Sequence, residues 1–169
     1  DFFFVHLLFL FFSGCGDLSL ISEEITGIVD QLRQKELQRV QTLYVDTSAF
    51  ALATQVPGQE DSDNPYDAPV GPLSVNFNSV PILKEASGRI VSGEPQTPTL
   101  PIMQELGKVR PAGLSRVNIC AKGCNPDARM VQYAGELFQA LLQQGGIPVT
   151  TLGGVRAVPA GASPLYTHM

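Results

Sequence analysis

The stretch that decides how this chain is read is FFFVHLLFLFFSGCGD, Phe2 to Asp17. From Phe2 to Phe12 every residue is apolar except His6. Such a run can be a buried element of a folded domain, a membrane span or a segment that is cut off. A helix crossing a bilayer needs about 20 apolar residues, so length argues against a span. The hydrophobic part of a secretory leader takes about 7–15 residues and ends at small residues. Ser13 and Gly14 stand in that place, so the stretch is read as a leader over residues 1–14.

The remaining composition sets broad bounds. The chain has 169 residues, 44% hydrophobic and 16% charged, with Gly 16 and Pro 13. That is long enough for one ordinary core. A formal net charge of −5 gives no electrostatic reason to expect nucleic acid or anionic lipid headgroups as partners.

Phe12-Ser13-Gly14-Cys15 resembles the lipobox of bacterial lipoproteins. The resemblance implies that Cys15 becomes the first mature residue and carries lipid, each buried CH2 adding about 0.8 kcal/mol of membrane attachment. It also implies a basic start upstream of Asp1, because no Lys or Arg precedes Arg33. Gly16, rather than Asp, directly after the cysteine points to the outer membrane, with the protein facing the periplasm.

Further along, Ser22 with Glu23 and Glu24 reads as a helix start. Ile25, Ile28, Val29, Leu32, Leu37 and Val40 continue at helical spacing, so residues 15–56 are expected to hold a lipidated N-terminus and an amphipathic helix. That helix either docks on its own domain or serves a partner. LYVDTSAFALATQV (43–56) fits strand or helix. The Pro-, Gly- and acid-rich 57–72 reads as a solvated linker. Its Asp61, Asp63, Asn64 and Asp67 invite calcium, but Pro65 occupies a ligand place of the EF-hand pattern, so no metal is expected.

From Leu73 the expected order is strand, helix, helix, strand, helix, strand. Leu73, Val75 and Phe77 alternate as in a strand. Ile82 to Ile90 and Leu100 to Gly107 read as helices, and Ser115 to Ala121 as a strand. Asn125-Pro126 opens the strongest helix, with Met130, Tyr133, Ala134, Leu137, Phe138, Leu141 and Leu142 on one face until Gly145-Gly146. IPVTTL closes as a strand. The fold class is an α/β (α+β) sandwich: a small mixed sheet with helices on one face, preceded by the amphipathic helix.

LSVNFNSVPIL, VNICAKG and AGELFQALLQQGGIP resemble the strands and long helix of OmpA-like domains, here spanning 73–159 with a flexible tail at 160–169. Members of that family hold the diaminopimelate of peptidoglycan between an Asp and an Arg. This sequence has Lys122-Gly123-Cys124 and Tyr133 at those places, with Asp127 and Arg129 nearby as the candidate contacts. If Cys15 is lipidated, Cys120 and Cys124 remain as an even pair. In an exported compartment a disulfide is expected; a redox pair is more usually spaced C-x-x-C, zinc lacks a His or second Cys pair to complete four ligands, and free thiols are the remaining alternative. No nucleophile–base motif stands out; His168 is the only histidine beyond the leader, and Glu85, Glu94, Glu105 and Glu136 are acids that could converge. The expectation is therefore a non-enzymatic, cofactor-free outer-membrane lipoprotein. It would be an interaction component of an envelope assembly, in secretion, conjugation or envelope maintenance, with self-association open. Peptidoglycan binding is the alternative and a periplasmic enzyme the second alternative.

Overall fold

The computed structural model describes residues 2–6, 8–51, 56–121 and 123–167. Lys122 and His168 lie outside the described residues. Eight strands, β1 (Phe2–His6), β2 (Phe9–Ser13), β3 (Val40–Asp46), β4 (Ser79–Lys84), β5 (Ile90–Ser92), β6 (Gly113–Asn118), β7 (Val149–Val155) and β8 (Ser163–Thr167), alternate with three α-helices. These are α1 (Ser22–Gln34), α2 (Pro101–Gly107) and α3 (Pro126–Gln144).

The chain is thus a mixed α/β fold with two sheets rather than one. The larger has the order β7-β3-β2-β1-β8, the smaller β5-β4-β6. β2, β3 and β7 run parallel, with Phe9 opposite Thr42 and Val40 opposite Val149. β1 is antiparallel to both β2 and β8. The stretch taken for a leader therefore supplies two adjacent strands of the main sheet. Leu10, Phe11 and Phe12 are wholly buried. Leu10 and Phe12 face the helices, where the Phe12 ring lies 4.4 Å from that of Phe138 on α3. Phe11 points the other way and stacks on Tyr44 at 5.2 Å, and the Arg156 guanidinium lies over Tyr44. A strand buried on both faces reads as a continuous apolar run, as a leader does.

The small residues after it have a packing cause too. A Cβ on Gly14 would stand 2.3 Å from the Pro72 carbonyl oxygen, and Gly16 has φ +78 with Phe50 against it. Gly14 N–H donates to Asp46 O and Gly16 N–H to Pro72 O. Residues 13–16 are a crowded strand-to-helix turn, which replaces the lipobox reading, and Cys15 is exposed on it.

Other elements depart from expectation for local reasons. α1 stops at Gln34 because Glu36 takes φ 65, the left-handed cap position that usually goes to Gly, and Leu37 N–H reaches back to Leu32 O. Val40 consequently belongs to β3. Residues 82–90, read as a helix, form the end of β4 and the turn into β5, since Ile82 and Leu83 pair with both Val91–Ser92 and Leu114–Ser115. The expected linker is folded onto the body: Gln59 Nε2 donates to Asp67 O, Asp67 accepts from Glu60 N–H, and Ala68 is buried. The expected tail pairs with β1 as β8. One hydrophobic core joins both sheets, running from Leu10 and Leu43 through Leu137 and Tyr133 to Ile82 and Val117.

Deleting residues 1–14 should abolish cooperative urea unfolding. Phe12→Ala should cost about 3–5 kcal/mol, as large-to-small changes of buried aromatics do. A truncated chain with an unchanged midpoint would remove the strand assignment.

Candidate functional site

The most unusual backbone among the described residues is Asn76-Phe77-Asn78, three consecutive non-glycine residues with φ of 46, 57 and 48. Left-handed backbone costs about 1–2 kcal/mol per residue, less for Asn, so it persists only where the surroundings impose it. The surroundings are visible. Asn78 Nδ2 donates to Pro69 O at 2.8 Å and Leu73 O at 3.2 Å, and its Oδ1 accepts from Val75 N–H. The turn replaces the strand expected at Leu73–Phe77. Leu73 and Val75 stay buried while Phe77 is thrown outward, 59% exposed.

Asn76 is the node of this region. Its Oδ1 accepts from Ser22 N–H at 2.9 Å, and its Nδ2 donates to Ser22 Oγ at 2.9 Å and Tyr133 Oη at 3.1 Å. The Tyr133 hydroxyl in turn donates to Ser79 O at 3.0 Å. Burial drives the Tyr133 pKa well above that of an ordinary phenol, against a smaller opposing effect of the Asn76 hydrogen bond. Ser22 was expected to cap α1. Instead the cap reaches α1 from Asn76, and Ser22 Oγ turns to Thr97 Oγ1 at 2.8 Å.

On the other side of α3, Glu136 Oε2 accepts from Ile102 N–H at 2.8 Å, in the first turn of α2. Gln132 Nε2 links Glu136 to Glu105, and Arg129 pairs with Glu105 at 2.6 Å. Burial raises the Glu136 pKa, against the hydrogen bonds from Gln132 and Ile102, while the Arg129 hydrogen bond leads in lowering that of Glu105. Of the four acids singled out, then, only Glu105 and Glu136 converge. Glu85 pairs with Arg89, and Glu94 with Arg116. Arg129 is committed to Glu105, and Asp127 lies apart in the first turn of α3.

Two clefts open on the surface. One, of about 410 Å³, lies between Phe50, Pro69, Pro72 and the start of α3 at Asp127 and Met130. The other, of about 670 Å³, gathers Glu23, Tyr66, Phe77, Ser79, Glu94 and Arg116. Neither brings a serine to a base among the described residues. Ser79 Oγ accepts from Arg116 at 2.9 Å, and Ser22 Oγ meets Asn76 and Thr97. Cys120 and Cys124 are joined as a disulfide, with Cα atoms 5.5 Å apart, at the loop into α3. No group of metal-binding residues occurs among the described residues.

The sequence matches the D-Ala-D-Ala carboxypeptidase 3 (S13) family over residues 8–169. The chain belongs to that family of peptidases. Among solved structures it resembles penicillin binding protein 4 (dacB) from Haemophilus influenzae, at 15% identity and a TM-score of 0.65. That alignment covers 99% of this chain and 46% of the other. A second structure of the same protein aligns at 14% identity and a TM-score of 0.53, covering 95% and 39%. The chain therefore spans less than half the length of these neighbours. No curated protein sequence matches it.

These findings replace the OmpA-like and lipoprotein resemblance, and with it the non-enzymatic envelope and secretion role. The Asp127–Arg129 contact with peptidoglycan was read from that resemblance; in the structure Arg129 pairs with Glu105 and Asp127 stands in the first turn of α3. Penicillin-binding proteins carry S-x-x-K, S-D-N and K-T-G signatures. This sequence contains no S-x-x-K and no K-T-G, and its one S-D-N string, Ser62-Asp63-Asn64, is occupied structurally. Asn64 caps the short turn at Pro65–Asp67, Asp63 pairs with Arg110, and Ser62 Oγ donates to Asp67. Sequence reasoning missed the Asn76 node because its partners lie 54 and 57 residues away. The one available signal was the repeated Asn in VNFNS, the residue type most tolerant of left-handed backbone after Gly.

Asn76→Leu should destabilise by about 3–5 kcal/mol, since it leaves Ser22 N–H and Tyr133 Oη without their partner and places Leu in left-handed backbone. Tyr133→Phe should cost about 1–2 kcal/mol. Chemical denaturation checks both. Glu136 binds its proton more readily folded than unfolded, so its contribution to stability falls as pH rises from about its ordinary value through the raised folded value. Unfolding free energies of the parent and Glu136→Gln, measured from pH 4 to 8, should diverge in that sense.

Proposed function

We propose that this protein serves D-Ala-D-Ala carboxypeptidase chemistry on the stem peptides of the bacterial cell wall, in an exported compartment. The observation that carries the reading is the family match over residues 8–169. Two further points support it. One of the structural neighbours is described as complexed with a β-lactam, and a β-lactam acylates the serine that would otherwise accept the peptide. The Cys120–Cys124 disulfide suits an oxidising compartment.

In such a reaction a serine oxygen attacks the carbonyl of the penultimate D-Ala, the terminal D-Ala leaves as the amine, and water releases the shortened peptide. No serine of these 169 residues is assigned that attack, because none stands in an S-x-x-K tetrad or beside a base among the described residues. The part proposed for this stretch is architectural: two sheets and three helices, locked by Asn76 and Tyr133, that hold two clefts in fixed geometry.

The protein as its gene encodes it should be labelled by a fluorescent penicillin. It should also release D-Ala from a diacetyl-Lys-D-Ala-D-Ala peptide, and excess benzylpenicillin should suppress both. The 169-residue chain alone should show neither. An encoded protein that is neither labelled nor active would overturn the proposal, and labelling of the 169-residue chain would overturn the architectural part.

A further inference from the structure

The 670 Å³ cleft has a composition that the carboxypeptidase reading leaves unused. Its rim carries two exposed aromatic rings, Tyr66 at 93% and Phe77 at 59%. Each sits on a pinned turn. Tyr66 N–H donates to the capping Asn64, and Phe77 is held between Asn76 and Asn78 in the left-handed run. An exposed ring held in a fixed position gains nothing from burial, and two of them on one cleft form a surface for something outside the chain.

The polar side chains lining the cleft are linked into a chain. Gln96 Nε2 donates to Glu94 at 3.2 Å, Glu94 pairs with Arg116, and Arg116 donates to Ser79 Oγ at 2.9 Å. Glu23 adds a second carboxylate, so the cleft is not set up for an anion. Its volume lies in the range of small-ligand sites.

We propose that this cleft binds a neutral stretch of cell-wall glycan, an N-acetylated amino-sugar chain. A pyranose ring presents an apolar face of C–H groups to an aromatic ring and a rim of hydroxyl and acetamide groups. Tyr66 and Phe77 match the faces, and Glu94, Gln96 and Arg116 match the rim with donors and acceptors already held in place. The choice of glycan rests on the cell-wall reading above: holding the strand here would keep its stem peptides near the enzyme that trims them.

The test is calorimetric titration of the 169-residue chain with N-acetylglucosamine tetramer, repeated with Tyr66→Ala and Phe77→Asn. Asn suits the left-handed backbone, so Phe77→Asn removes the ring without unfolding the turn, and unchanged denaturation midpoints verify this. The expected result is saturable binding that weakens at least tenfold in each variant. No binding at millimolar tetramer overturns the inference, as does binding that both variants retain. Preference for a stem peptide over the tetramer, or self-association that Tyr66→Ala abolishes, overturns it in favour of that occupant. Failed penicillin labelling with intact tetramer binding would remove the enzyme reading alone, and the converse would remove the cleft assignment alone.

Discussion

The fold hangs on one buried side chain. Asn76 satisfies the first N–H of α1 and donates to both the Ser22 hydroxyl and the Tyr133 phenol oxygen, so three segments distant in sequence meet at one amide. A buried N–H or hydroxyl left unpaired costs about 1–3 kcal/mol, and this site would strand several at once. That stake explains why the backbone accepts three left-handed residues in a row. The strain is local, and the hydrogen bonds it permits tie α1, α3 and β4 into one body.

Around that node the two sheets divide the work. The larger is built on the parallel strands β2, β3 and β7, with Phe12 against Phe138 on the helix side and Phe11 against Tyr44 on the other. The smaller sheet shares the same core and carries Arg116 to the surface, where it meets Glu94 while also donating to the buried Ser79 hydroxyl. Glu136 plays a secondary part of the same kind as Asn76, reaching from α3 to the first turn of α2. The N-termini of α1 and α2 are closed by side chains from elsewhere in the chain, whereas α3 is capped by its own Asn125.

Membership of the S13 peptidase family changes the meaning of several features together. Small residues after an apolar run become a tight turn against Pro72 rather than a cleavage site. An S-D-N string becomes a turn, with each of its side chains engaged. The carboxylates read as candidate acids become ion-pair partners or a helix cap. What stays outside these structural tasks is the aromatic-rimmed cleft, which is why it invites a binding role.

What the sequence determined by itself was whatever depends on neighbours in the chain. The face of α3, its Asn125 start and Gly145 stop, the extent of α2 and the apolar stripe of α1 through Leu32 were all legible, because helical period and capping act within a few residues. Only the tertiary structure decided the rest. A doubly buried strand and a leader share the same run of phenylalanines, and the difference lies in whether Phe138 and Tyr44 are there to cover them. Likewise VNFNS alternates like a strand until the partners of Asn76 and Asn78, all at a distance, turn its backbone left-handed and push Phe77 out into the water.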